Sequence, residues 1–241
     1  MARRRNSYFQ CREFRIEQGN CAMKVTTDAS LLGAWAPVEG AQRILDIGTG
    51  TGLLALFAAQ RCQAIIDAIE LDPQAAGQAR SNFTASPWAD RLNLIEGDIR
   101  DLAPAQRYDA IVCNPPFFSA ATPNACDRLA RARHNDALPL PELLAAIDRL
   151  LSSDGRAWLL LPLPEAAQLR AALKGVNLHA RVMLEVSSSA QHSPHRQILQ
   201  LERHPGPCRS LSLALYTEHP LHSPEAAQLF EPYYLNLRRA D

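Results

Sequence analysis

Arg43-Ile44-Leu45-Asp46-Ile47-Gly48-Thr49-Gly50-Thr51-Gly52 runs directly into Leu53-Leu54-Ala55-Leu56-Phe57-Ala58-Ala59. The first five residues read as a buried strand, the glycines as a tight loop and the apolar run behind them as a helix. Strand, glycine loop and helix in that order make a ligand-binding turn. Missing side chains let a ligand approach the backbone, and the unpaired N–H groups of the helix's first turn point at its anionic end. The dinucleotide fingerprint G-x-G-x-x-G would need glycine at position 53, which is Leu53. The loop is G-x-G-x-G with an acid, Asp46, two residues ahead of it. That pairing suits a zwitterionic amino-acid tail better than a pyrophosphate.

Downstream, residues 64–69 form a second apolar strand that ends in Glu70, placed to accept hydrogen bonds from both hydroxyls of a ribose. Pro73 opens a helix to about Ser86, and Leu92-Asn93-Leu94-Ile95 is a third strand, followed by Asp98, an acceptor for an exocyclic amine such as adenine's. Tyr108-Asp109-Ala110-Ile111-Val112-Cys113 is a fourth, and it runs into Asn114-Pro115-Pro116-Phe117. The prolines end the strand because neither has an N–H to give to a sheet. The proline after Asn114 also holds that residue out of the helical region. Its side chain and the Pro115 carbonyl can then present acceptors to one incoming amine, with Phe117 as a flat apolar wall. Taken alone, Asn-Pro-Pro reads equally as an ordinary strand exit into a proline turn. Four strands in succession that each end in a polar residue point to a ligand at the carboxyl edge of an open parallel sheet.

Upstream, Tyr8, Phe9, Phe14 and Ile16 alternate with polar residues, as in a short strand or an arm lying on the domain. Thr27 or Asp28 caps a helix whose apolar face is Leu31, Leu32 and Trp35 and which Pro37 stops. Residues 118–138, with Arg128, Arg131, Arg133 and His134, show little apolar periodicity and read as a loop. A helix spans 140–151, and Asp154-Gly155 turns it into a fifth strand over 156–161. Pro164 starts another helix to about Gly175, and strands over 180–186 and 197–201 are joined by a hairpin-like loop at the sheet edge. Pro205-Gly206-Pro207 breaks the chain, and the tail beyond, with Tyr216, Phe230, Tyr233 and Tyr234, takes no assignment from pattern alone.

At 241 residues, with 47% hydrophobic and 21% charged residues, the chain suits one globular domain. No apolar run approaches the roughly 20 residues of a membrane span, and the Met-Ala-Arg-Arg-Arg start lacks the apolar segment of a secretory signal. Six cysteines without a C-x-x-C pair speak against a zinc site and a disulfide framework, and a reducing cytoplasm suits them. The formal net charge is zero, but it is segregated. Residues 1–24 carry six cations against two acids, residues 42–110 six against nine, and residues 174–209 five against two with four histidines. Basic ends around an acidic middle are compatible with a polyanion gripped about a site for a cationic ligand, and equally with a solvated surface.

The order and spacing of these elements resemble class I S-adenosylmethionine-dependent methyltransferases. Asp46 to Gly52 is similar to that family's cofactor loop, Glu70 to its ribose-binding acid and Asp98 to the residue that meets the adenine. Asn114-Pro115-Pro116-Phe117 resembles the (Asn/Asp)-Pro-Pro-(Phe/Tyr) motif of the branch that methylates amino groups on bases or on glutamine. A narrower resemblance, carried by Phe9, Phe14, the run from Met23 to Asp28, Leu31 to Trp35 and Phe230 to Leu235, is to bacterial enzymes that methylate N6 of the adenine 3′ of the anticodon in a valine tRNA. Two departures stand out: that motif usually ends in tyrosine where this chain has Phe117, and phenylalanine is common at the position of Tyr233.

The resemblance implies a Rossmann-like α/β fold with a seven-stranded, mostly parallel sheet and helices on both faces. The chain would be one domain, residues 1–241, comprising an N-terminal segment over the cofactor site (1–40), a catalytic core (41–203) and a tail (204–241). It implies S-adenosyl-L-methionine as cofactor, held by Lys24, Asp28, Asp46, Gly48, Thr49, Gly50, Gly52, Glu70, Leu71, Asp98, Ile99 and Asn114. Asn114, Pro115, Pro116 and Phe117 would form the catalytic centre. tRNA is the implied partner, met by the basic N-terminal arm, the 128–133 loop and the 174–209 region, with no metal, no membrane and a monomeric state. Guanine N2 in rRNA, a glutamine side chain of a translation factor, or RNA binding without turnover remain alternatives.

Overall fold

The structure, a computed structural model, describes residues 7–19, 24–115 and 138–239. Pro116, Phe117, Arg3 to Arg5, Cys21, Cys126, His134 and the arginines at 128, 131 and 133 lie outside the described residues.

The glycine-loop strand, β3 (Arg43–Ile47), lies in the middle of an eight-stranded sheet. To one side lie β4 (Ile65–Glu70) and then β5 (Leu92–Glu96). To the other lie β6 (Tyr108–Cys113), β7 (Leu151–Pro162), β9 (Arg196–Glu202), β8 (His179–Ser187) and β10 (Arg209–Ala214), in that spatial order. Every neighbouring pair is parallel except the two that β9 makes, so β9 alone runs against the rest. The expected seven strands are therefore corrected to eight. The additional one is β10, paired in parallel with β8 from Arg209↔Val182 to Ala214↔Ser187. Its sequence gave little sign because an edge strand buries little: Arg209 to Leu211 and Ser212 are exposed, so the apolar signal is confined to Leu211 and Leu213.

Continuous apolar runs in the central strands follow from burial on both faces. On one face, Ile44, Ile66, Ala110, Val112 and Trp158 join a core with α1 (Thr27–Trp35), α2 (Leu53–Arg61), α3 (Pro73–Thr84) and α6 (Pro224–Phe230). On the other, Leu45, Ile47, Ile111, Cys113 and Leu159 pack against α4 (Leu140–Leu150) and α5 (Leu163–Ala172). Alternate residues of one strand thus serve opposite layers.

Three local expectations shift. The cap of α1 is Thr26, whose hydroxyl accepts from the Ala29 N–H, so Thr27 and Asp28 fall inside the first turn. The helix after Pro162 ends at Ala172, with a 3₁₀ turn from Leu173 to Gly175. The chain also enters β7 straight from α4. Tyr108 pairs with Leu151 and Ala110 with Arg156, so Asp154-Gly155 sits in an excursion within the strand instead of ahead of it.

The tail and the N-terminus meet on α2. β1 (Tyr8–Gln10) and β2 (Arg15–Glu17) form an antiparallel hairpin, and between them Cys11 bridges to Tyr234 while the Arg12 N–H donates to the Tyr233 carbonyl at 2.8 Å. Tyr233 is 1% exposed and stacks on Phe57 of α2, ring centres 3.8 Å apart. Its hydroxyl donates to the Phe57 carbonyl at 3.4 Å. Phe9 packs edge-on against Tyr234, which stacks on Phe230. The short strands β11 (Tyr216–Glu218) and β12 (Leu221–His222) close the tail.

Removing the Tyr233 ring leaves a cavity against Phe57 and unseats both chain ends. Tyr233→Ala is expected to lower the unfolding free energy by about 3 to 5 kcal/mol, whereas Tyr233→Phe, which loses one long hydrogen bond, costs about 1 kcal/mol or less. Chemical denaturation of the two variants checks the order.

Candidate active site

Register brings the sequence-predicted residues into one row. Ile47 pairs with Ile69 on one side and Cys113 on the other, so Gly48, Glu70 and Asn114 each come next at the carboxyl edge of adjacent strands. Glu70 pairs with Glu96, which puts Asp98 just past the end of β5. At about 4.8 Å per strand, Asn114 lies roughly 10 Å from the level of Glu70 and about 14 Å from that of β5, a span matched to a nucleoside with a side arm.

The loop between β3 and α2 turns on three glycines in the left-handed region, with φ of 68° at Gly48, 58° at Gly50 and 88° at Gly52. At Gly52 space is limiting too, since a Cβ there would run into the Phe83 ring. Asp46 holds the loop from below. Its Oδ2 accepts from Thr49 Oγ1 at 2.6 Å and from the Ala55 N–H at 3.2 Å. Its Oδ1 is buried with no hydrogen-bond partner among the described residues. Burial with no counter-charge, and Glu70 nearby, push the Asp46 carboxyl up to about 7.

Glu70 closes the loop from the side. Oε2 accepts from the Gly50 N–H at 2.8 Å and Oε1 from the Asp72 N–H at 3.0 Å. A carboxylate offers about four acceptor positions, so each oxygen keeps one free for a hydroxyl. Asp72 in turn caps α3, accepting from the N–H groups of Gln74 and Ala75. Leu71 is 47% exposed, an apolar surface beside Glu70, and Ile99 is buried. Asp98 accepts from the Arg100 N–H and from its guanidinium, and that guanidinium holds the Asp98 carboxyl below its ordinary range. Asn114 and Pro115 are half-buried at the tip of β6, and Lys24 is half-buried ahead of α1. Burial raises the Cys113 thiol far above its usual range, so it stays protonated beneath Asn114.

Several contacts had no sequence signal strong enough to be read. Asn82, on the buried side of α3, donates to the carbonyls of Glu17 and Thr51 and accepts from the Glu17 N–H, tying the N-terminal hairpin to the glycine loop. A polar residue among Ala75, Ala76, Ala79 and Phe83 was the available hint. Asp28 faces Nε2 of His195 at 3.3 Å and Nε of Arg196 at 3.5 Å. Two other cations between 174 and 209 are tied elsewhere: Arg203 to Asp148, and Arg181 to Glu202 at 2.8 Å.

A mostly parallel sheet with this loop, an acid at the tip of the next strand and an Asn-Pro pair at the tip of the strand beside it defines a class I methyltransferase. The structure superimposes with a TM-score of 0.67 on a predicted O-methyltransferase from Agrobacterium tumefaciens, at 17% identity, covering 88% of this chain and 100% of that one. The methyltransferase small domain family matches residues 21–139. The tRNA1(Val) (adenine(37)-N6)-methyltransferase of Aeromonas salmonicida is 43% identical over 235 residues, covering 97% of this chain and 99% of its own. That of Shewanella amazonensis is 40% identical, covering 95% and 99%. The chain belongs to the tRNA1(Val) (adenine(37)-N6)-methyltransferase family.

Burial pushes the Asp46 carboxyl up to about 7 in the folded chain, whereas an aspartate in the unfolded chain sits near about 4. Between about pH 4 and about 7, the folded chain keeps a proton that the unfolded chain has released. Stability is therefore expected to fall as pH rises through that window and to level off above it. In Asp46→Asn that component of the slope is absent, which urea titrations of both proteins across the window will show.

Proposed function

We propose that the protein transfers a methyl group from S-adenosyl-L-methionine to N6 of an adenine in tRNA, the adenine 3′ of the anticodon of a valine tRNA. The observation that carries this is the placement of Asn114-Pro115 in the same row as Glu70 and the glycine loop, in a chain 43% identical over nearly its whole length to an enzyme named for that reaction.

The residues present suit the cofactor. Asp46 Oδ1, an orphaned buried acceptor, and the loop N–H groups answer an amino-acid tail. The free acceptor positions of Glu70 answer ribose hydroxyls, and Leu71, Asp98 and Ile99 line the position for a purine. Gly48, Thr49, Gly50 and Gly52 form the cradle, and Lys24 approaches from the N-terminal segment. When bound, S-adenosylmethionine supplies a methyl group on a sulfonium leaving group.

An adenine N6 is a poor nucleophile because its lone pair is delocalised into the ring. Asn114 Oδ1 and the Pro115 carbonyl accept its two hydrogens, which turns the nitrogen toward sp³ geometry and frees the lone pair. Catalysis is then positioning and electrostatics. Asn114 cannot act as a base, and Cys113, which holds its own proton, does not either, so the proton leaves to solvent after transfer. The role of Pro116 and Phe117, closing the motif and stacking the target base, rests on sequence alone.

The protein acts as a single-domain monomer in the cytoplasm without a metal. No helix among the described residues is long and apolar enough to cross a membrane.

Incubation with methyl-labelled cofactor and, separately, total tRNA, total rRNA and protein is expected to give N6-methyladenosine in tRNA; label confined to protein or to rRNA would refute the substrate. Asn114→Ala should lower kcat by about 10²- to 10³-fold, the worth of one preorganised polar contact, while S-adenosylhomocysteine still binds. Glu70→Ala should instead weaken S-adenosylhomocysteine binding by roughly 10- to 100-fold, measured by calorimetry; an unchanged affinity would remove its ribose role.

A further inference from the structure

The carboxyl edge of the sheet carries a second polar cluster, on the side of Asn114 away from Glu70. Arg196 opens β9 and pairs with Pro162 of β7, while Cys113 pairs with Leu159 of the same strand. Arg196 therefore projects from the same edge as Asn114, slightly further out and two strands away, a lateral distance of roughly 10 Å. His195 precedes it at the end of the β8–β9 loop, with its N–H donating to the Val186 carbonyl at 2.8 Å. Arg196 Nη1 donates to the His195 carbonyl at 2.9 Å, so the two side chains share one rigid turn. Asp28 of α1 reaches both, and it is the less exposed partner: 21% against 37% for the His195 side chain and 36% for Arg196.

This arrangement leaves a guanidinium and an imidazole held from behind by one carboxylate and open to solvent in front. A half-buried carboxylate beside a partly exposed arginine fixes the direction of its remaining N–H groups without occupying them all, since arginine has five donors in a planar fork. On the other side of Asn114, Asp98 and Glu70 place two carboxylates at the sheet edge, which repel a polyanion. A strand of nucleic acid that delivers a base to Asn114 must keep its phosphates off that side, and at this edge Arg196, beside His195, keeps part of its guanidinium exposed while paired with Asp28.

We propose that Arg196 and His195 hold a backbone phosphate of the RNA next to the target nucleotide, and that Asp28 is a positioning residue that orients them. The inference rests on the tRNA reading of the site and adds to it the side from which the strand enters. It also assigns Asp28 to the substrate side of the cleft.

The test uses the full chain and its tRNA substrate. Wild-type methylation of tRNA is measured first, because a wild type inert toward tRNA overturns the substrate reading and this contact with it. With an active wild type, Arg196→Ala is expected to raise the KM for tRNA roughly tenfold, the size of one charge-assisted hydrogen bond, with kcat at saturating tRNA and the affinity for S-adenosylhomocysteine both retained. The slope of log affinity against log salt should become shallower by about 0.7 to 0.9 for the lost phosphate. Arg196→Lys should restore most of the slope. Asp28→Asn should raise the tRNA KM in the wild type but add nothing in the Arg196→Ala background, as for residues acting through one contact. A folded Arg196→Ala with an unchanged salt slope and tRNA KM would reduce the cluster to a tether between α1 and the hairpin, and a loss of S-adenosylhomocysteine affinity in Asp28→Asn with tRNA affinity kept would return Asp28 to the cofactor side.

Discussion

One carboxylate, that of Asp46, fixes the geometry from which the rest of the site is measured. It sits at the end of the central strand, fully buried, and reaches both the loop through Thr49 and the first turn of α2 through Ala55. Burying an acid without a cationic partner is unfavourable, which is why its proton affinity rises. The loop supplies few side chains of its own, since three of its five residues are glycines, and Asp46 joins one of those few, Thr49, to the first turn of α2. Strain of left-handed backbone is avoided by those glycines, and direction is supplied by the acid beneath them.

From that anchor the site spreads along the sheet by register. Parallel pairing places the residue after each strand at a common level, so the loop, Glu70 and Asn114 become neighbours although they are far apart in sequence. Glu70 then joins the loop to the cap of α3, and Asn82 joins α3 to the N-terminal hairpin. A continuous chain of hydrogen bonds therefore runs from the sheet to the segment that stands over it. The tail completes the enclosure: Tyr233 and Tyr234 press the hairpin and α2 together, so that both chain ends depend on the same face of the sheet.

The central elements could be read from sequence because their signals are local. Ile44, Leu45 and Ile47, and the run from Ala110 to Cys113, are apolar and buried on both faces, and the glycine spacing announces its own backbone requirement. The N-terminal hairpin and the tail gave weak signals, since β1 and β2 have three residues each and β10 is largely exposed. Such short or edge strands owe their existence to partners brought by the rest of the chain. The excursion at Asp154-Gly155 was misplaced for a related reason: a turn dipeptide marks where the chain departs from its ladder but not whether the strand has already begun.

Sequence by itself determined which residues could perform the chemistry, because an amide before two prolines, an acid at a strand tip and three glycines in five residues are demands on bond rotation and hydrogen bonding that operate over a few positions. Only the tertiary structure decided which of them face one another. Asp28 and Arg196 are separated by more than half the chain, and both look like ordinary surface charges until α1 and the β8–β9 hairpin are packed at the same edge. Pairing between distant residues depends on the relative placement of whole elements, and that placement is set by burial summed over the two layers of the core, which no short stretch of sequence encodes.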